Sequence, residues 1–192
     1  MRVKFIFLIA VAFFITSCGF KELKPLKLYR FDTPKVYTKK HKYKGKTLKV
    51  NYPISTKESL SYKMLYSYNN QTIGSYLNSQ WAFNKGKLLE GYIINALSKA
   101  ELFSSVVPYD SIVNEDYRLE VVVNNFYNLV ENGKSYAILD IRFTLIDMQE
   151  NRPIKTKEFR YKEAAPSVDA KGYVEAVNKA LEKMANDLIE WL

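Results

Sequence analysis

Between residues 117 and 161 apolar and polar side chains alternate with a period of two, and that pattern leaves few folds open to the chain. Tyr117, Leu119, Val121 and Val123 fall on one side of an extended backbone, with Arg118, Glu120 and Asn124 largely on the other. Glu131-Asn132-Gly133-Lys134 follows, and Asn-Gly is the pair that best accepts the positive φ of a tight hairpin turn. The return strand, residues 135–147, places Ala137, Leu139, Ile141, Phe143 and Leu145 toward a core and Asp140, Arg142 and Thr144 away from it. A turn over residues 149–153 leads into residues 154–161, whose lysines suit an edge strand. Three antiparallel strands in a meander then need a cover for their apolar face.

Two helices supply that cover. Residues 85–100 carry Leu89, Ile93, Ala96, Leu97 and Ala100 at steps of three and four, with Asn84 placed to cap the first turn. Gly86 and Gly91 weaken this helix by about 1 kcal/mol each relative to Ala, so packing must hold it. Residues 170–191 repeat the pattern with Val174, Val177, Leu181, Met184 and Leu188 behind an Asp169 cap. A single apolar stripe on a terminal helix is expected to pack on its own sheet. Shorter strands are expected at residues 47–52, stopped by Pro53, and at 104–107, stopped by Pro108. Residues 64–68 and 73–77 read as a hairpin around the turn 69–71. Tyr76 and Trp81 are expected in the core. The fold class is α+β: a two-layer domain over 47–192, two helices packed on one face of a mainly antiparallel sheet.

The opening residues, MRVKFIFLIAVAFFITSC, say where such a domain would live. Arg2 and Lys4 start a positive segment, residues 5–15 are apolar, and Ile15-Thr16-Ser17 lead to Cys18. This is the layout of an export signal. An apolar run this short falls well below the roughly 20 residues that span a bilayer as a helix, so a cleaved signal over 1–17 is expected. Cys18 is the one cysteine in the chain. It stands where a bacterial lipobox would have its nucleophile: the thiol takes a diacylglycerol, the signal is cut before it, and the new amine is acylated with a chain such as palmitate. Each buried methylene contributes about 0.8 kcal/mol, so several chains together anchor firmly. In the bacterial lipoproteins that this segment resembles, the absence of Asp at the position of Gly19 implies sorting to the outer membrane rather than retention at the inner one.

Charge separates the chain into two parts. The formal net charge is +9, but residues 21–49 hold 11 Lys or Arg against Glu22 and Asp32, while residues 50–192 hold 16 basic and 18 acidic residues. Residues 18–46, with prolines at 25 and 34 and lysines throughout, are expected to be a lipidated, basic, extended and mobile tether. Lysines beside an acylated cysteine face anionic headgroups, where each is worth about 1 kcal/mol. His41 is expected at the surface of this segment. Nucleic-acid binding would need the charge on a folded face, so no nucleic-acid partner is expected.

Catalysis finds no support. The chain has no G-x-S-x-G elbow and no phosphate-cradling glycine loop, and one His with one Cys destined for acylation builds neither a Cys/His pair nor a zinc cluster. No cofactor and no metal are expected. The pair Glu115-Asp116 lies before a strand and is expected to be solvated.

Three blocks carry a resemblance: SYLNSQWAFNKGKLLEGYIINALSKAELFSSVV, YRLEVVVNNFYNLVENGKSYAILDIRFTLID and KEFRYKEAAPSVDAKGYVEAVNKALEKMANDLIEWL. With Tyr76, Ser79, Trp81 and Ala82 ahead of the first helix, the exit Ala100-Glu101-Leu102-Phe103, and the final Trp191-Leu192, they resemble the ABC-type transport auxiliary lipoprotein family over residues 47–192. The longer basic tether depart from that family's pattern, as does Lys85-Gly86 where it often has a proline. The resemblance implies a non-catalytic outer-membrane lipoprotein, facing the periplasm. Its implied partners are an Mce-domain protein and an ABC permease with its ATPase, in a system that moves phospholipid or other hydrophobic molecules. It also implies self-association, since some members form rings. The alternative is a lipoprotein that assists lipopolysaccharide or barrel-protein assembly. The exposed side of the sheet, with Arg118, Glu120, Asp140 and Arg142, is a candidate docking face, and ordinary solvent exposure explains it equally well.

Overall fold

The computed structural model describes residues 25–37, 41–55, 60–69 and 71–192. Cys18 and the signal read over 1–17 lie outside these residues. Among the described residues the elements are nine strands and two helices: β1 (Lys27–Tyr29), β2 (Tyr43–Val50), β3 (Ile54–Ser55), β4 (Lys63–Ser67), β5 (Gly74–Trp81), α1 (Lys85–Ala100), β6 (Phe103–Pro108), β7 (Tyr117–Glu131), β8 (Lys134–Asp147), β9 (Arg152–Ala164) and α2 (Ala170–Trp191).

The spine of the sheet is β7. One of its edges pairs antiparallel with β8 along its whole length, from Tyr117↔Asp147 to Glu131↔Lys134, and β8 pairs antiparallel with β9. Its other edge receives β2, β3 and β4 in succession, all parallel. Beyond these, β6 lies parallel to β2, β5 antiparallel to β4, and β1 parallel to β5. The sheet is therefore mixed, with its two longest ladders antiparallel, and the class is α+β.

The turn between β7 and β8 has Asn132 at φ 50° and Gly133 at φ 71°, the left-handed pair that a two-residue hairpin needs. A bulge between Val123 and Asn125 inserts one residue into β7. After it the core side passes to even positions, so Phe126 and Asn128 are buried where odd residues had been. That is why the alternation visible in the sequence stopped at Val123 although the strand continues to Glu131.

Both helices lie on one face. The buried stripe of α1 includes Leu89, Ile93, Ala96 and Leu97, that of α2 includes Val177, Leu181, Met184 and Leu188, and both meet Leu119, Val121, Val123, Leu139, Ile141 and Phe143 in one core. The caps are those expected: Asn84 accepts from the Lys87 amide and Asp169 from the Gly172 amide. Gly86 is required rather than tolerated, because a Cβ there would lie 2.5 Å from the Tyr52 hydroxyl. At the other end of α2, the Lys42 ammonium donates to the Leu192 carbonyl at 2.6 Å, and Lys155 donates to the carbonyls of Trp191 and Leu192. These cations suit the negative end of a helix dipole.

The expectation of a mobile linker is corrected for residues 25–37. They are extended, as Pro25 and Pro34 dictate, but they are docked. After β1, Phe31 enters the core beside Trp81 and Tyr92. The Asp32 amide donates to Asn178 Oδ1 at 3.1 Å and the Tyr37 amide to Asn186 Oδ1 at 3.1 Å, while Asn186 Nδ2 donates to the Lys35 carbonyl. The Tyr37 hydroxyl donates to Glu182, and Lys99 of α1 donates to the Pro34 carbonyl at 3.0 Å. The segment is a strap across both helices. It is held because Asn178, Glu182 and Asn186 recur every four residues and line up on one face of α2. His41 is a surface residue, as expected, 3.7 Å from Glu101.

Candidate docking face

Side-chain parity fixes which residues the sheet shows to solvent. With Leu119 and Val121 turned to the helices, Arg118 and Glu120 must point the other way, and so must Asp140 and Arg142 of β8. The register brings them together: Glu120 lies opposite Thr144, Val122 opposite Arg142, and Asn125 opposite Asp140. On the next strand Arg160 lies beside Asp140 and Glu158 beside Arg142. Glu158 in turn accepts from Arg160 at 3.1 Å and from Asn124 at 3.2 Å. The result is a face of alternating charge in which each carboxylate has a basic residue within one register step.

The four expected residues differ in how far they are committed. Asp140 accepts from Asn125 Nδ2. Arg118 donates through Nε to Glu115 at 3.0 Å. Glu120 and Arg142 are the exposed pair of the four.

Glu115 is not solvated, contrary to expectation, and Asp116 is only partly so. The Glu115 side chain is 8% exposed and receives both Lys49, at 2.8 Å, and Arg118. Lys49 first and then Arg118 hold its carboxyl down to about 2, against the upward push of burial. Asp116 accepts from the Thr47 amide at 2.8 Å and from Lys46 at 2.9 Å. Those two contacts hold its carboxyl below the usual range, the amide contributing most. Its backbone is used too: the Asp116 amide donates to the Thr47 carbonyl, and its own carbonyl accepts from Met148. The pair thus pins β2 against the start of β7, beneath one end of the charged face.

Trp81 is fully buried, as expected, with Phe126 and Tyr173 around it. Tyr76 is only half-buried. Its hydroxyl accepts from Asn128 Nδ2 at 2.6 Å, and Asn128 Oδ1 accepts from Ser135 at 2.6 Å, a polar chain whose inner members, Asn128 and Ser135, are buried. Lys85 was not foreseen at all. It is fully buried, donating to the Phe126 carbonyl at 3.3 Å with its ammonium 5.3 Å from the centre of that ring. Its partner lies 41 residues away, so no local pattern marks it.

Among the described residues no group of three or more His, Cys, Asp or Glu is placed to hold a metal ion, and no helix is long and apolar enough to cross a membrane. The fold is shared with protein XCC0632 from Xanthomonas campestris, at 17% identity and a TM-score of 0.76, covering 86% of this chain and 94% of that one. A crystal structure described only as an uncharacterised protein matches at 13% identity and a TM-score of 0.64, over 83% of this chain and 98% of that one. No curated protein matches the chain significantly. Residues 35–188, from the strap almost to the end of α2, match the family described as the ABC-type transport auxiliary lipoprotein component, and the chain belongs to that family.

Proposed function

We propose that this protein is a lipid-anchored docking component of an ABC/Mce-type transport system, held at the periplasmic face of the outer membrane by an acylated Cys18. What carries the reading is membership of a transport auxiliary lipoprotein family in a chain whose one cysteine closes an export signal. The cargo is phospholipid or another hydrophobic molecule, and the role is to receive an Mce-domain protein served by an ABC permease and its ATPase. No step of catalysis is assigned to the chain. A path for apolar cargo through water must be shielded from end to end, and a domain fixed at one membrane provides a seat for the end of that path. The alternating charges around Glu120 and Arg142 give this seat polar complementarity, which selects partners and orients them more than it adds affinity. Self-association of the domain belongs to the same proposal.

The test is a mild-detergent pull-down of the tagged protein from its native cells, with mass spectrometry, on wild type, Cys18→Ala and the double charge reversal Glu120→Arg/Arg142→Glu. Wild type should bring down an Mce-domain protein and permease components, Cys18→Ala should leave the membrane fraction, and the charge reversal should stay in the membrane but lose its partners. Retrieval of a barrel or lipopolysaccharide-assembly protein instead would overturn the transport reading.

A further inference from the structure

The domain has two poles. At one, the residues before β7 form a loop in which Ile112 is fully exposed, next to the half-exposed Val113. At the other, where β7 ends, an open hollow of about 540 Å³ is lined by Leu77, Tyr68, Val168, Val130, Lys27 and Lys171 among others. Leu77 is 91% exposed, although it lies in the same strand as the buried Trp81, and Tyr68 and Val168 are also largely open to solvent. Ile73, just before β5, and Leu26 and Leu28, on either side of Lys27, add more exposed apolar surface at the adjoining edge. Strand β7, at 15 residues, separates the two poles by about 50 Å.

The chain's own connectivity distinguishes these poles. Strand β1 runs parallel to β5, with Lys27 beside Ser79 and Tyr29 beside Trp81. The polypeptide preceding Lys27 therefore enters from the Leu77 side, at the hollow. Six residues lie between Cys18 and Pro25, and the seven Cα steps between the two span at most about 25 Å even when fully stretched. A domain leashed this closely cannot stand on its far pole, some 50 Å from the point of attachment. The hollow carries Lys27 and Lys171, with Lys21 and Lys24 in the connecting stretch, the charge that an anionic headgroup layer attracts. Asp169, the one acidic residue among those lining the hollow, spends its carboxylate on the Gly172 amide and the Ser167 hydroxyl.

We infer that the Leu77 pole is a membrane-contacting surface, set against the same lipid leaflet that the acyl chains enter, with Leu77, Tyr68 and Val168 at the interface and Lys27 and Lys171 among the headgroups. This rests on the reading of Cys18 as the lipid anchor. Seating this pole directs the Ile112 pole away from the bilayer.

The experiment uses mature acylated protein in vesicles of phosphatidylethanolamine and phosphatidylglycerol. Acylation occupies the native thiol, so Leu77→Cys and Ile112→Cys each present a single site for an environment-sensitive fluorophore, and both positions are exposed enough to leave the fold intact. Residues at a bilayer interface sit about 5–10 Å into the headgroup and acyl boundary, so doxyl-labelled lipid should quench the residue 77 probe about threefold more than the residue 112 probe. Equal quenching, no quenching, or quenching of residue 112 alone overturns the inference. So does a residue 77 probe that is unquenched by lipid but shielded when the transport partner is added, which would give this pole to a protein. Intact-mass measurement of the same samples separates the two readings. Acyl chains present with residue 77 unquenched sink the seat alone, whereas a mature chain without acyl groups sinks the anchor and the seat with it.

Discussion

The ring of Phe31 stands edge-on to the indole of Trp81, with centroids 5.1 Å apart and planes at 78°. Phe31 comes from a lysine-rich stretch that reads as a linker, and Trp81 is the largest fully buried side chain of the domain. The strap therefore contributes to the core and does not merely lie on it. Replacing Phe31 with Ala should destabilise the domain by about 2–3 kcal/mol, since it removes a partly buried ring and leaves a cavity against Trp81. Thermal unfolding should show a midpoint lowered by roughly 5–10 °C for a chain of this size. An unchanged midpoint would mean that the strap is dispensable.

The two glycines of α1 should behave in opposite ways. Around Gly91 nothing stands within 4 Å of an added Cβ, so Gly91→Ala should stabilise the domain by about 1 kcal/mol through helix propensity alone. At Gly86 the added methyl meets the rigid Tyr52 ring and threatens the bond from its hydroxyl to Asn84, the residue that caps the helix. Gly86→Ala should cost about 1–3 kcal/mol in spite of the same propensity gain. Denaturant midpoints of the two variants, measured side by side, settle the comparison.

Acid should loosen the junction of β2 and β7. The folded Glu115 carboxyl titrates at about 2 against an ordinary 4.5, so its contribution is complete above about pH 4.5 and is lost as pH falls through the folded value. Asp116, also held below its usual range, adds to the loss in the same direction. Wild-type stability should fall between about pH 4.5 and 2, and Glu115→Gln should flatten part of that slope. At neutral pH the substitution should cost about 2–3 kcal/mol, because it leaves Lys49, whose side chain is only 12% exposed, without its carboxylate. Urea unfolding across this range tests both statements.

The strap's polar contacts offer a separate handle. Asn186 donates to the Lys35 carbonyl and accepts from the Tyr37 amide, so Asn186→Ala removes two bonds to the strap at once. Amide hydrogen exchange over residues 31–37 should accelerate by roughly tenfold, the effect of losing about 1.4 kcal/mol of local closure, with little change in β8.

What could be read in advance divides by distance along the chain. Both helices were legible to the residue, because stripe and cap sit within a few positions of each other: Asn84 with Leu89 and Ile93, Asp169 with Val174 and Val177. The β7–β8 hairpin was legible for the same reason, through Asn132-Gly133. The parallel attachment of β2, β3 and β4 to β7 was not, since the partner of Leu48 is Tyr117 and nothing near Leu48 names it. Nor was the docking of residues 25–37, whose partners in α2 are some 150 residues away. Of the candidate face, the parity of Arg118, Glu120, Asp140 and Arg142 followed from alternation alone. The engagement of Arg118 by Glu115 required the tertiary structure.

The strap also sets an order of events. Its partners Asn178, Glu182 and Asn186 lie 145 to 151 residues downstream, so they are synthesised long after it. A ribosome delivers residues 25–37 well before α2, yet they have no seat until α2 has been made, reached the sheet and presented its outer face. The strap waits for α2. The strap is consequently without its polar seats on α2 until that helix is made, and closes over the two helices only once both are in place.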